Sequence, residues 1–257
     1  MSKSLAIFRK EIKGFWFNPN FLVVCGLFAT VLSWVYPTQL KIFSAELSNH
    51  VYAQQLPSQQ LNIHYGVFLR HLSYLNLMLI LIVPALTMRL FAEEKKMRTF
   101  DLLLTAPITS AEIVIGKYLA ALAAVFSIVF ISFLYPAATA VFAKFSWSTL
   151  IVAFFGIFLV SAVYAAMNLF CSSITESAIV SYVMAVIFNV LIWFLGMGVE
   201  VVDSSIARSV FEHISLNQHL ASIVEGTVRS TSLVFFGSVI FLFCFLSERM
   251  VESSRWR

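Results

Sequence analysis

Six long apolar runs separated by shorter polar stretches set the pattern of this chain. They lie at roughly Phe21–Tyr36, Leu72–Leu90, Ile113–Phe142, Leu150–Phe170, Ala178–Val199 and Thr231–Leu246. A hydrocarbon core about 30 Å thick takes about 20 apolar helical residues, so each run predicts a membrane-spanning helix. The first and last are short and borrow neighbours such as Trp16 and Val228. The third is long, and Tyr135-Pro136 predicts a kink or an end near one interface, leaving Ala137–Phe142 as a short continuation.

The polar stretches carry patterns of their own. Leu5, Phe8, Ile12, Phe15 and Trp16 recur at helical spacing, with Lys3, Arg9, Lys10 and Lys13 largely elsewhere on the wheel. That predicts a basic amphipathic helix over Ser4–Phe17, lying flat at a membrane surface and broken at Asn18-Pro19. No small-x-small site follows the first run, so it reads as an uncleaved span and not as a leader. Pro37–His71 and Glu200–Ser230 read as polar segments on the side opposite this helix. Within the second, the apolar spacing of Phe211–Val224 predicts an amphipathic helix on or dipping into the interface.

Composition sharpens the class. With 60% hydrophobic and 12% charged residues in 257, the chain reads as a single all-α integral membrane domain, 1–257, with no independent outer domain. The formal charge of +4 reports topology first, and no nucleic-acid partner is expected. Six spans put twelve basic residues, including Lys3, Arg89, Lys95, Lys96, Lys117 and Arg249, on one side. Only Lys41, Arg70, Lys144, Arg208 and Arg229 fall on the other. The excess places both termini and the loop after the second span in the cytoplasm. The scattered Cys25, Cys171 and Cys244 predict no disulfide framework.

Catalytic chemistry is sparse. No charged residue sits mid-span, which argues against a proton-coupled carrier and an intramembrane hydrolase. No GxSxG, HExxH or Walker motif occurs, so the chain is expected to be no enzyme and to hold no metal or other cofactor of its own. His50, His64, His71, His213 and His219 read as solvated loop residues. One small, mildly polar stripe, Ser177, Ser181, Ala185 and Asn189, recurs every four residues on the fifth run. It fits ordinary packing within one subunit, or a dimer interface or pathway wall.

The most distinctive stretch is the charged island at 92–112, inside FAEEKKMRTFDLLLTAPITSAEIVIGK. Glu93-Glu94-Lys95-Lys96 carries the second run into water, and Thr99–Thr105 reads as a short helix with Thr99 as its cap, ended by Pro107. Topology explains the charges but not Leu102-Leu103-Leu104, which would be partly exposed. Apolar anchors flanked by charge suit a soluble partner that grips this loop.

The island resembles the signature of ABC-2 type permeases, in the gliding-motility (GldF-like) branch, where the usual form is close to EEKRxGTxELLLTxPV. Ser172-Ser-Ile-Thr-Glu176, Val224–Val228 and Glu252–Arg257 resemble further segments of that family, so the likeness covers most of the chain. Arg98 stands where the family has Gly, Asp101 where it has Glu, and Met97 and Glu176 are also atypical. The resemblance implies six spans, with Ser4–Phe17 as an interfacial connecting helix and the island as a coupling helix seated in a separate ATPase. That role would fall on Glu93, Glu94, Arg98, Thr99, Asp101, Leu102, Leu103, Thr105 and Pro107. It implies two cytoplasmic ABC ATPase subunits that carry the ATP and magnesium. It also implies a second permease copy or a related permease meeting this chain through spans 1 and 5, and short outer helices between spans 5 and 6. It allows for a periplasmic accessory protein beside the membrane lipids.

The expected function is therefore the permease subunit of an ATP-driven exporter in a bacterial inner membrane. Charge-poor, Phe-rich spans suit an amphipathic or lipid-linked cargo. The rival reading is a membrane anchor of a gliding-motility or envelope-assembly complex that turns ATPase cycling into mechanical work. A stand-alone secondary carrier is a third class.

Overall fold

The structure is a computed structural model that describes residues 3–52, 62–105, 107–201 and 205–254. Among these, every regular element is helical. The helices are α1 Lys3–Trp16, α2 Pro19–Tyr52, α3 Leu69–Thr87, α4 Arg89–Lys96, α5 Phe100–Thr105, α6 Ser110–Ala138, α7 Trp147–Ile174, α8 Ala178–Val201, α9 Ser205–Ile214, α10 Leu216–Val224 and α11 Ser230–Ser254. A π-helical turn, His64–Phe68, leads into α3, and a 3-10 turn, Thr139–Val141, closes α6.

Six helical stretches are long and apolar enough to cross a membrane: Pro19–Asn49, His64–Lys96, Ser110–Val141, Trp147–Ile174, Ala178–Gly196 and Ser230–Ser254. Each overlaps one of the six apolar runs, and the first, second and last extend well beyond theirs. Their burial is unequal. In α7 72% of the spanning window is buried, against 17% in α8 and α11 and 22% in α2. So α7 is the axis of the bundle, and α2, α8 and α11 are its outer members. Small residues make that possible, because Ala153, Gly156, Ser161, Ala162, Ala165 and Ala166 let neighbouring backbones close in on α7. At Gly156 a Cβ would stand 2.7 Å from Ile223 Cγ2, so α10 docks where no larger residue fits.

Chain breaks follow local chemistry. Asn18 Oδ1 accepts from Asn20 N at 2.9 Å, and Pro19 opens α2 at the position where a missing N–H costs nothing. α6 starts on a capping box: Glu112 N donates to Thr109 Oγ1 at 3.2 Å, and Thr109 N donates to Glu112 Oε2 at 2.9 Å. It ends two residues past Pro136, as that proline predicted.

Three expectations need correction. Pro37 does not end the first span, because α2 runs through it to Tyr52. Leu40 and Phe43 beyond it still pack on the core, and Arg70 Nη2 ties the extension to α3 by donating to Glu46 at 3.0 and 3.2 Å. The stretch Phe211–Val224 is two helices rather than one. Ser215 interrupts it and caps α10, accepting from Gln218 N at 3.3 Å. The described histidines are mostly not solvated loop residues. His71 is fully buried and bonded to Ser132 Oγ at 2.8 Å, His64 is buried with Nε2 3.0 Å from Val224 O, and His219 stacks on Phe235 at 4.2 Å. They lie in or beside helices that the polarity of the flanking sequence concealed; the side chain of His50 lies outside the described residues.

Candidate functional site

The charged island forms a hairpin of two short helices, α4 and α5. α4 closes with two backbone bonds: Thr99 N donates to Glu94 O at 3.0 Å and Arg98 N to Lys95 O at 3.1 Å. This is a Schellman closure, which puts one residue in the left-handed region. That residue is Arg98, at φ 56°. The departure from glycine at this position therefore falls where glycine is conformationally cheapest. Arg98→Gly should raise thermal stability by about 0.5–1 kcal/mol by removing the left-handed penalty; an unchanged or lower melting temperature would contradict this.

α5 is anchored from both ends. Phe100 is buried with its ring edge-on to Phe91 at 6.1 Å, and Lys95 Nζ lies 5.4 Å above it. Leu103, one helical turn on, packs against the core. Leu103 is thus half-buried, partly exposed as expected yet packed on the core as an anchor, while Thr105 and Pro107 are exposed. The side chains of Asp101 and Leu102 lie outside the described residues. Thr99 Oγ1 donates back to Glu94 O at 3.3 Å, tying α5 to α4. Lys3 of α1 donates to the Pro107 carbonyl, and Lys95 donates to the Ser173 carbonyl at the end of α7.

Behind the hairpin sits a charge cluster of which only Glu94 belonged to the sequence-derived site. Lys117, in the second turn of α6, is 1% exposed. Its Nζ donates to Leu90 O at 2.6 Å and Glu11 Oε1 at 3.1 Å, and lies 2.9 Å from Glu94 Oε2. The Phe91 ring lies 5.2 Å away. Glu94 also meets Lys10 at 3.4 Å. One ammonium thereby joins α1, α4 and α6, and Glu94 points inward rather than toward a partner. Gly116 beside it lets α1 close on α6; a Cβ there would stand 2.9 Å from Ile7 Cβ and the Ser4 carbonyl. At the base of α6, Ser110 donates to Glu252 of α11.

The spanning helix is broken just above this cluster. Between α3 and α4, Ser172 Oγ donates to Met88 O at 3.0 Å and accepts from Phe91 N at 3.0 Å and Ala92 N at 3.2 Å. A hydroxyl from α7 has entered the helical ladder, a recognised cause of a kink. The Ser172–Glu176 turn, matched in sequence, therefore has a structural role at the root of the hairpin.

The stripe on α8 divides. Ser177 is exposed and opens the helix, its N bonded to Thr175 Oγ1 at 3.1 Å. Ser181, Ala185 and Asn189 are enclosed by the chain's own helices. Asn189 Nδ2 donates to Ile80 O at 3.3 Å. Pro84 lies four residues on and offers no N–H to that carbonyl, so Asn189 supplies the missing donor. The opposite side of α8 exposes Ile179, Val183, Ile187 and Leu191. Among the described residues no three His, Cys, Asp or Glu side chains form a group that could hold a metal ion.

A family model described as ABC-2 family transporter protein matches residues 5–225, from α1 to the turn after α10. None of the curated proteins compared with the chain matches it. A family match over most of the chain, on a fold with six membrane-length helices, is sufficient: this chain is a multi-pass membrane protein that belongs to the ABC-2 transporter family.

Proposed function

We propose that the chain is the membrane-spanning subunit of an ATP-driven exporter, worked by separate cytoplasmic ATPases in a bacterial inner membrane. Membership of the family implies an associated ABC ATPase subunit. The observation that carries the finer reading is the anchoring of α5. A short helix held by a Schellman turn, Phe100 and Leu103 cannot swivel independently of α4, so force applied to it passes into the spanning helix through the Ser172 kink. A solvated topology loop would need none of these ties. In this reading α5 is the coupling helix, with the exposed Thr105 and Arg98 available to the partner and Asp101 and Leu102 in the contact roles that the family resemblance gives them. Glu94 and Thr99 act by holding the hairpin. α1 is the interfacial connecting helix, bound to α6 at Gly116 and Lys117.

A second permease would meet the outer faces of α2 and α8, the helices left least covered along with α11. The Ser181–Asn189 stripe would support that contact from behind, by fixing α8 on α3. ATP-driven closure of the partner would move the hairpin and open or shut the path between the two permeases. The chain itself hydrolyses nothing in this scheme, and amphipathic or lipid-linked cargo suits its uncharged spans. The gliding-motility branch supplies the rival, mechanical role.

Two measurements test the proposal. A cysteine placed at Lys96, an exposed position, should be labelled by an impermeant reagent only after cells are opened. Labelling in intact cells would invert the topology and end the coupling assignment. The complex with its ATPase, reconstituted in vesicles, should show ATP hydrolysis stimulated by an amphipathic cargo. Hydrolysis indifferent to every cargo tried would favour the mechanical role.

A further inference from the structure

A cavity of about 350 Å³ opens between α1, the start of α2 and the α3–α4 kink. Its size is at the lower end of ordinary ligand sites, and its lining mixes two chemistries. Phe15, Phe21, Val24 and Leu86 are apolar, while Glu11, Arg89 and Glu93 are charged, with the polar Asn18 and Asn20 among them. Phe21 and Val24 lie in the first two turns of α2 and Leu86 in the last turn of α3. The lining thus comes from the ends of spanning stretches, where hydrocarbon gives way to headgroups.

The charges can be balanced one by one. Glu11 is already met by Lys117 at 3.1 Å. Arg89 and Glu93 are both exposed, line the same space, and have no ion-pair partner among the described residues. What is left is one guanidinium and one carboxylate, one helical turn apart on α4, in a cavity that also has apolar walls. A guanidinium matches a phosphate through two parallel hydrogen bonds. A carboxylate beside it matches a primary ammonium, which donates three hydrogen bonds. We propose that this cavity is a binding site for a zwitterionic aminophospholipid, of the phosphatidylethanolamine kind. Its phosphate lies on Arg89, its ammonium on Glu93, and the start of an acyl chain lies against Phe21, Val24 and Leu86.

The complementarity discriminates among membrane lipids. A choline headgroup has no N–H to give Glu93. An anionic glycerol headgroup places the same phosphate on Arg89 but brings no ammonium, so Glu93 meets only neutral hydroxyl donors and its charge stays unbalanced. Because Met88 and Arg89 line the cavity, the lipid would rest on the kink that carries the hairpin.

The test uses the purified full-length chain, stripped of lipid in detergent. It is titrated with phosphatidylethanolamine, phosphatidylcholine or phosphatidylglycerol of one acyl composition, and retained lipid is read by native mass spectrometry. Phosphatidylethanolamine should be held at about tenfold lower concentration than either other lipid, the worth of one charge-assisted hydrogen bond. Arg89→Gln should weaken both zwitterionic lipids, and Glu93→Gln should make ethanolamine and choline lipids equal. Phosphatidylglycerol retained as tightly as phosphatidylethanolamine by the unmodified chain would overturn the proposal, as would both variants keeping the original preference. The unmodified chain alone decides the lipid class, so a variant that fails to fold does not rescue the idea. No ATPase is involved, so failure here and failure of the exporter reading are separate results.

Discussion

Lys117→Met is expected to lower the stability of the chain by about 3 kcal/mol, because removing one partner of a buried ion cluster strands the others. Methionine fills the space of the lysine stem but gives nothing to Leu90 O, Glu11 or Glu94, which lie within 3.1 Å of the ammonium. The two carboxylates are 17% and 19% exposed, so water relieves part of the cost and the lower end of the usual range applies. For a chain of this size the change corresponds to a fall in melting temperature of roughly 10 °C, measurable by tryptophan fluorescence in detergent. Adding Glu11→Gln and Glu94→Gln should recover part of the loss, since the stranded negative charges are then gone. A single variant that melts with the unmodified chain would show that the cluster does not hold α1 and α4 to α6.

Leu102→Asp is expected to abolish co-purification with the partner ATPase while leaving membrane insertion and melting temperature unchanged. Apolar residues at the centre of an interface commonly carry 2 kcal/mol or more each, which is roughly thirtyfold in affinity. Leu103→Asp should behave differently. Leu103 packs against the core, so a carboxylate there should lower the melting temperature before any partner is considered. The two neighbours separate a contact role from an anchoring role. Retention of the ATPase by Leu102→Asp would count against α5 as the coupling element, and equal melting of the two variants would count against Leu103 as an anchor.

The spans were legible because burial in hydrocarbon demands unbroken apolar length, and length is a local property of sequence. The ends of α6 were legible for local reasons too: Thr109-x-x-Glu112 is a capping-box spacing visible in the letters, and Pro136 marks the stop. The island stood out in the letters by its charges and leucines. Which of those leucines faces inward was not legible, because Phe91, on the preceding helix α4, decides it by receiving Phe100.

Lys117, Ser172, Asn189 and Arg89 show the other side. Each does its work through a residue far away in sequence: Lys117 with Glu11 and Leu90, Ser172 with Met88, Asn189 with Ile80, and Arg89 with the wall that α1 and α2 build around its cavity. In the letters they are one lysine near a span end, one serine in a turn, one asparagine on a stripe and one basic residue among twelve. The sequence by itself determined that this chain has six apolar stretches long enough to cross a membrane, though not how far the first of them extends, and which loop is unlike the rest. The tertiary structure alone decided which polar groups are buried, because the Ile80 carbonyl that Pro84 leaves orphaned, or a gap in the ladder at Met88, selects its partner by distance in space, and that distance exists only once the helices have packed.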